Sequence, residues 1–275
     1  IYYLKREEMK IKWLGHAAFL ITSDEQVKII TDPYQSSGGI KYRPITEEAD
    51  YVTISHQHTD HNYTDDIRGN PVIIMGSGLH QKEHFTFKGI ESFHDDKRGR
   101  LRGENTIFCF NVDDINICHL GDLGHLLSQD KIEEIGKVDV LLIPVGGTYT
   151  IDANQATDLC KNINPKVIIP MHFKTPKLDF PISGVKPFIL GKENIEEIKL
   201  CENVILANIE FGYGNLSNLK AVEEALNIGK KVIILQESPI TNRDYTKGEA
   251  TKRLFFHFNA FLKFKIFYIY IILLI

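Results

Sequence analysis

Apolar and polar residues alternate along the first quarter of the chain with the two-residue period of β-strands. Strands are predicted at residues 10–14, 17–22, 27–31, 51–54 and 71–75. The last two are dominated by apolar and β-branched residues, which is typical of buried strands. Each run ends at glycine, proline or polar residues, so these strands deliver polar side chains at their ends.

The pattern continues as strands up to residue 170. Further strands are predicted at residues 85–93, 138–145 and 167–170. Residues 105–112 and 115–120 predict a β-hairpin, because two alternating runs flank a short turn of two aspartates.

Two helices are predicted after the hairpin. One is predicted at residues 131–135 and the other at residues 151–162, with Thr150 or Asp152 as its N-cap. His80 and His84 stand four residues apart, as on one face of a helix. The segment is otherwise polar, so we expect a solvated helix here and no metal site.

The stretch ISHQHTDH at residues 54–61 holds four potential metal ligands within six residues. His56, His58, Asp60 and His61 follow directly after a predicted strand. Neutral imidazole and carboxylate are good ligands for zinc and similar ions, whereas unpaired polar rings are costly to bury. In an extended segment His56 and His58 point to the same side. The stretch therefore predicts a metal site, with a surface pair of histidines as the alternative.

Further strand ends carry residues of the same kind. His94 and His172 each follow a predicted strand, and Asp122 lies in the sequence HLGDLGH. The glycines beside Asp122 allow a close backbone approach, which suits a carboxylate that bridges two ions; a plain turn residue is the alternative. His16 and Asp32 also stand at strand ends. They are either hydrogen-bonding partners of metal ligands or structural residues.

Composition and charge narrow the class of protein. The chain has 275 residues, enough for one large domain with an appendage, and a net charge of −4. No dense basic cluster indicates a nucleic-acid partner, so none is expected. The four cysteines show no C-x-x-C spacing and no signal peptide precedes the first strand. We therefore expect a reduced, cytoplasmic protein.

In their order along the chain, the pattern H-x-H-x-D-H, His94, Asp122 and His172 resembles the metallo-β-lactamase superfamily. The segments GHAAFL, TDPY, HLGDLGH, PVGGTYT and PMHF are similar to its small metal-dependent hydrolases related to the ascorbate-phosphate lactonases. The resemblance covers residues 9–199 and fills every ligand position. It implies an α/β (α+β) fold, a four-layer αβ/βα sandwich with the metals at one rim of the paired sheets.

The resemblance also implies two divalent metal ions, Zn2+ in preference to Mn2+ or Fe2+. It makes His56, His58 and His94 ligands of one ion and Asp60, His61 and His172 ligands of the second, with Asp122 bridging both. A metal-bridging hydroxide would then attack an ester, lactone or phosphoester of a small molecule.

Two catalytic roles follow from the same resemblance. Asp60 would orient the attacking group, and His125, or less favourably His119, would give a proton to the leaving group or bind an anionic substrate. Class B lactamases, flavodiiron oxygen reductases and tRNA-maturation nucleases fit less well, and a glyoxalase-type thioesterase stays open. The alternative outside the enzymes is a non-catalytic metal-binding or interaction protein on the same fold.

The predicted domain organisation has three parts. Residues 9–200 form the hydrolase domain, 201–252 an appended, incomplete βαβ-like segment, and 253–275 an apolar tail. The segment is predicted as strand 204–209, helix 216–228 and strand 231–235.

The two ends of the chain carry expectations of their own. For the tail we favour translation past a frameshift over membrane contact or packing on the body. At the other end we expect a native start at Met9, because residues 1–8 look like a translated ribosome-binding site. A homo-oligomer is compatible with all of these predictions.

Overall fold

The computed structural model describes residues 9–192, 195–201, 207–208, 230–237 and 266–274. In chain order, its first elements are β1 (Lys10–Gly15), β2 (Ala18–Thr22), β3 (Lys28–Thr31), β4 (Tyr51–Ile54), β5 (Val72–Met75), β6 (Gly78–Gln81), β7 (Thr86–Phe93), β8 (Glu104–Val112) and β9 (Ile115–His119). They are followed by α1 (Gln129–Ile135), β10 (Val140–Pro144), α2 (Ala153–Ile163), β11 (Val167–Met171), α3 (Lys186–Ile189), β12 (Ile195–Cys201), β13 (Ala207–Asn208), β14 (Lys230–Glu237) and β15 (Ile266–Leu274).

These strands form two sheets. In the described part of the chain, the first sheet has the order β13-β1-β2-β3-β4-β5 and the second β12-β15-β14-β11-β10-β9-β8-β7-β6. The predicted hairpin is β8 and β9, and its turn residues Asp113 and Asp114 have φ values of 51° and 64°, as a tight hairpin turn requires. The mixed α/β fold with two multi-stranded sheets confirms the predicted class.

One apolar core fills the space between the sheets. Buried side chains such as Phe19 and Ile30 of the first sheet belong to the same cluster as Phe87 and Phe108 of the second. The core positions alternate along β1, as the sequence pattern predicts. This packing aligns the ends of strands from both sheets along one rim.

The helix α2 confirms one of the two caps that the sequence left open. Asp152 accepts hydrogen bonds from the backbone N–H groups of Asn154 and Gln155, and the Gln155 side chain accepts one from Asp152 N. This reciprocal arrangement is a capping box. Thr150 lies before the cap and donates to the carbonyl of Ile151.

The helix predicted around His80 is wrong. Residues 78–81 form β6, which pairs in antiparallel register with β7. The backbone N–H of Lys82 donates to the carbonyl of Phe85 and closes the turn between them. Pairing with the long strand β7 satisfies backbone groups that the short polar segment, as an isolated helix, would leave to water. His80 therefore lies in a strand and His84 in the turn.

The strand β5 is also less buried than predicted. It is the last strand of the first sheet, and the side chains of Val72, Ile73 and Met75 are 44%, 39% and 49% exposed. Only Ile74 points into the core. An edge strand with one covered face buries fewer side chains than a central strand does.

Of the strands beyond residue 192, β12, β14 and β15 extend the second sheet, whereas β13 pairs with β1 in the first. The predicted strand at 231–235 lies within β14, which pairs parallel to β11. Of the strand predicted at 204–209, β13 is described, and the helix predicted at 216–228 lies outside the described residues. β15 lies in the apolar tail and pairs antiparallel to β12 and β14. No helix in the described ranges combines the length and apolar character needed to cross a bilayer.

Candidate metal centre

The rim brings together the polar side chains that stand at strand ends. The first sheet supplies the residues that follow β1, β3 and β4, and the second sheet those that follow β7, β9 and β11. They are His16, Asp32, His56, His58, Asp60, His61, His94, Asp122 and His172. All seven residues predicted as metal ligands thus lie in one cluster.

Three imidazoles form the first part of this cluster, the three-histidine group of His56, His58 and His94. Their ring centroids are 4.6, 4.8 and 5.1 Å apart, and one ring nitrogen of each lies within 4.8 Å of the others. His56 and His94 are buried, whereas His58 is exposed. The group has the spacing of three ligands around one ion and opens to solvent at His58.

The second part is the carboxylate group of His16, Asp60, His61 and His172, whose ligand atoms also lie within 4.8 Å of one another. The Oδ2 atom of Asp60 is 3.3 Å from His16 Nε2 and 3.6 Å from His61 Nε2. The three imidazoles are buried and Asp60 is partly exposed. The resemblance predicts three of these residues together, and the structure adds His16.

Asp122 joins the two groups through one oxygen atom. Its Oδ2 lies 3.1 Å from His172 Nε2, 3.2 Å from His94 Nε2 and 3.3 Å from His61 Nε2. The Oδ1 atom is buried and has no hydrogen-bond partner among the described residues. A carboxylate in contact with both groups has the position that a bridging ligand needs.

The backbone around Asp122 is held at close range. Asn105 Oδ1 accepts a hydrogen bond of 2.8 Å from Asp122 N. A Cβ atom at Gly121 would come within 2.3 Å of that same oxygen, and one at Gly124 within 2.3 Å of the His94 carbonyl carbon. The prediction that small neighbours allow this approach is confirmed.

Three strand-end residues of the cluster have positive φ angles. The values are 53° at His16, 39° at Asp32 and 50° at His172. This left-handed region is costly for any residue other than glycine, though least so for asparagine, aspartate and histidine, and such backbone strain collects at functional sites. The carbonyl of His16 accepts hydrogen bonds from Trp13 Nε1 and His172 N, so the surrounding structure holds the strained turn in place.

Asp32 links one histidine of each group. Its Oδ2 accepts a 2.9 Å hydrogen bond from His61 Nδ1 and a second bond from the Ser55 hydroxyl. Since that hydroxyl donates to Asp32, it accepts at 2.9 Å from His56 Nδ1. Both imidazoles thereby turn Nε2 toward the cluster, and the hydrogen-bonding interpretation of Asp32 is confirmed. His16 likewise hydrogen-bonds a predicted ligand, because its Nε2 lies 3.3 Å from Asp60 Oδ2.

Sequence analysis missed Ser55, Asn105 and Tyr149. The Tyr149 carbonyl accepts a 3.1 Å hydrogen bond from His94 Nδ1, which again leaves Nε2 facing the cluster. No side-chain pattern could signal a role played by a backbone carbonyl. Ser55 did have a signal, because it precedes His56 directly at the end of β4.

The electrostatics favour ionised carboxylates. Burial acts to raise the pKa of Asp122, but the neighbouring His172 and His61 hold it well below its usual value. Burial likewise acts to lower the pKa of His61, yet Asp122 and Asp60 raise it well above the ordinary value. In the metal-free chain a proton on His61 thus supplies the positive charge beside Asp60 and Asp122 that a metal ion would otherwise supply.

Two other imidazoles stay neutral. Burial, followed by the nearby His61, lowers the pKa of His56 to about 3. Burial and His172 lower the pKa of His16 to about 4. Neutral imidazole is the form that binds metal, so His56 needs no proton removed near neutral pH.

The donor atoms fit divalent metal ions. His56 Nε2, His61 Nε2 and Asp122 Oδ1 are buried without a hydrogen-bond partner in the part of the chain that is described. Unpaired buried polar atoms are costly, and bound cations beside these atoms would remove that cost. Nitrogen and oxygen donors of this kind suit zinc, manganese and iron.

His125 lies outside this cluster of donors. Its Nε2 accepts from Phe93 N at 3.1 Å, and its Nδ1 donates to the carbonyl of Leu126 at 2.9 Å. His119 is buried, with Nε2 bonded to the Ala17 carbonyl and Nδ1 accepting from Gly121 N. Neither ring therefore has a nitrogen open to substrate in this arrangement, and proton donation by His125 stays a prediction that requires the ring to turn.

Comparison with family models gives two matches. Residues 10–172 match the beta-lactamase superfamily domain, which is more than half of the chain and includes every residue of the cluster. Residues 190–257 match a second model, the MJ0874 family.

Individual relatives agree with the first match. The chain is 31% identical over 196 residues to a UPF0173 metal-dependent hydrolase of Carboxydothermus hydrogenoformans, covering 61% of this chain and 85% of that protein. A UPF0173 metal-dependent hydrolase of Archaeoglobus fulgidus is 29% identical over 209 residues, covering 65% and 87%. A Thermotoga maritima structure, assigned to the metallo-β-lactamase superfamily as a Zn-dependent hydrolase, superposes with a TM-score of 0.56 at 42% identity, covering 66% of this chain and 84% of that one.

Proposed function

The chain belongs to the β-lactamase superfamily and, within it, to the UPF0173 metal-dependent hydrolases, and on that premise we propose a binuclear hydrolase that cleaves an ester, lactone or phosphoester of a small molecule. The observation that carries the proposal is the position of Asp122. One of its oxygens contacts Nε2 atoms from both the three-histidine group and the carboxylate group. A single ion would leave one group of donors unused.

Each residue then has a defined task. His56, His58 and His94 would hold one ion and Asp60, His61 and His172 the other, with Asp122 between them. Two divalent ions in such a site lower the pKa of a shared water and stabilise negative charge that develops on the substrate. Zinc is the favoured metal because imidazole dominates the donor set.

Asp60 is the residue best placed to act on the nucleophile. Burial acts to raise the pKa of Asp60, but His61 and the hydrogen bond from His16 lower it, so the carboxylate is ionised at neutral pH. Its side chain is 20% exposed, unlike the buried imidazoles beside it. Asp60 would accept a hydrogen bond from the attacking water and orient it toward the substrate.

Metal analysis together with hydrolysis tests the proposal. We expect about two ions per chain in the wild-type protein, and about one in H172A, because a ligand of the second ion is lost. Hydrolysis of ester and phosphodiester reporters should disappear in D60A while the fold persists. A wild-type chain that binds no metal after reconstitution would contradict the proposal and favour a non-catalytic protein on this fold.

A further inference from the structure

A loop with four cationic side chains begins directly after the ligand His94. Residues 95–103 include Lys97, Arg98, Arg100 and Arg102. Lys97 pairs with Asp96, whereas no carboxylate among the described residues pairs with the three arginines. With Asp95 and Asp96 in the same nine residues, the loop has four cations against two carboxylates, in a chain whose net charge is −4.

The buried carboxylate of Asp95 holds this loop in one shape. Its two oxygens accept four backbone hydrogen bonds of 2.7–3.0 Å, from the N–H groups of Lys97, Gly99, Leu101 and Arg102. The loop is also closed by His94 N donating to the Gly103 carbonyl. The arginines are thus displayed by a fixed backbone, and less conformational entropy is lost when they bind a ligand.

Arg102 is the arginine whose contacts lead to the three-histidine group. It donates through Nη2 to the Thr148 carbonyl at 3.1 Å, and its guanidinium carbon lies 5.5 Å from the centre of the Tyr149 ring. The carbonyl of the same Tyr149 accepts from His94 Nδ1. Arg102 is therefore one residue removed from the three-histidine group.

Two partly exposed aromatic rings continue from Arg102 along the cluster. The rings of Tyr149 and Phe180 have centroids 6.3 Å apart, and the Phe180 ring is 5.6 Å from the ring of His16. This wall of Arg102, Tyr149 and Phe180 runs from the three-histidine group to the carboxylate group. Exposed aromatic surface beside a polar centre suits the apolar part of a ligand.

We propose that Arg102 binds an oxyanion, a carboxylate or phosphate, carried by the substrate beside its scissile bond, while Tyr149 and Phe180 cover the apolar part. This inference rests on the proposed function and names its substrate class as anionic. The planar guanidinium matches the geometry of both oxyanions. Its bond to Thr148 uses one donor and leaves others for a ligand.

Two reporters that differ in one remote charge test the inference on the zinc-loaded full-length chain. They are mono-4-nitrophenyl terephthalate, whose para carboxylate cannot reach its own ester, and its neutral methyl ester, which share the same scissile 4-nitrophenyl ester bond. R102A should lower kcat/KM about tenfold for the anionic ester, mainly through KM, and less than about twofold for the neutral one. R102K should recover part of the loss, because the charge returns without the planar fork.

Arg68 provides a matched control. Its side chain is exposed, and like Arg102 it donates to a backbone carbonyl, through Nε to that of Thr46 at 2.7 Å. R68A should leave both reporters unchanged. Equal effects of R102A on the charged and the neutral ester would overturn the inference, since a merely structural role affects both.

Binding of phenylphosphonate, which cannot be hydrolysed, separates this inference from the proposed function. Calorimetric titration should show about tenfold weaker binding to R102A than to the wild-type chain or R68A. If no reporter is hydrolysed but this difference is found, the hydrolase proposal fails and the anion site stands. If R102A binds phenylphosphonate as the wild type does, the anion site is refuted even when hydrolysis is observed.

Discussion

The three-histidine group and the carboxylate group lie side by side, yet they are built differently. The first has no carboxylate of its own and includes the exposed His58, whereas the second has three buried imidazoles around Asp60. Asp32 contacts a histidine of the second group directly and one of the first group through Ser55.

This difference reflects how many charged side chains each group buries. Buried charged groups need partners, because their hydration is lost and only hydrogen bonds or opposite charges replace it. The carboxylate group meets that demand with Asp32, Asp60 and Asp122 around His61. The three-histidine group has no carboxylate of its own, and its exposed His58 leaves that side of the centre open to solvent.

The largest expected effect comes from the residue that the two groups share. D122N keeps the shape of the side chain but removes its charge, so both groups lose their common ligand. We expect metal content to fall from two ions to fewer than one and hydrolysis to fall by more than about 100-fold. Elemental analysis and a reporter assay measure both.

Asp139 supplies the matched control for that variant. It is also a buried aspartate, but it accepts hydrogen bonds from the backbone and side chain of Asn116, outside the cluster. D139N should retain both ions. A D122N protein that still held two ions would show that the groups bind metal independently.

Stability without metal should separate the two groups. H61A leaves the buried Asp32 without its imidazole partner, and we expect the free energy of unfolding to fall by about 3 kcal/mol. H58A removes an exposed ring and should cost less than about 0.5 kcal/mol. Urea denaturation of the chelator-treated proteins measures both, and similar losses would mean that burial does not distinguish the groups.

The stability of the metal-free chain should vary with pH because two of the buried imidazoles have lowered pKa values. In the unfolded chain histidines take up protons below pH 6.5, whereas folded His16 and His56, with pKa values of about 4 and about 3, do not. Acidification from pH 6.5 toward 4 should therefore favour unfolding, by about 2 kcal/mol per imidazole by pH 5.

The raised pKa of His61 acts in a different window. Its stabilising contribution is fully present below pH 6.5 and is lost as pH rises through the raised folded value. We therefore expect the stability of the metal-free chain to be greatest near pH 6.5. Urea midpoints measured from pH 5 to 9 test this, and a midpoint that rises steadily with acid would be the opposite result.

The smallest expected effects concern Asp32 and Ser55, whose hydrogen bonds link His61 of one group with His56 of the other. D32N should weaken metal binding at both groups by about 10- to 100-fold, because it disturbs the hydrogen bonds that orient His61 and His56. S55A should weaken binding at the three-histidine group alone. Competition with a chelator measures both constants, and a D32N protein with one weakened ion would confine Asp32 to the carboxylate group.

The candidate ligand residues and most strands were readable from sequence because both follow from local patterns. The stretch at residues 54–61 carries four ligand-type side chains within one loop, and the bounds of β1 to β4 differ from the predicted runs by at most one residue. Asp152 as the cap of α2 is equally local, since the capping box spans four residues. In each case neighbouring residues carry the whole signal.

Only the tertiary structure decided what depends on residues distant in the chain. The strand β6 replaced the helix expected at His80 because β7 offered its edge, and β5 became exposed because nothing pairs beyond it among the described residues. Three hydrogen bonds of the site join residues that are far apart in the sequence. They link Ser55 with Asp32, 23 positions apart, Tyr149 with His94, 55 positions apart, and His125 with Phe93, 32 positions apart. Such contacts leave no periodic trace in the sequence, since they arise when two sheets close around one core.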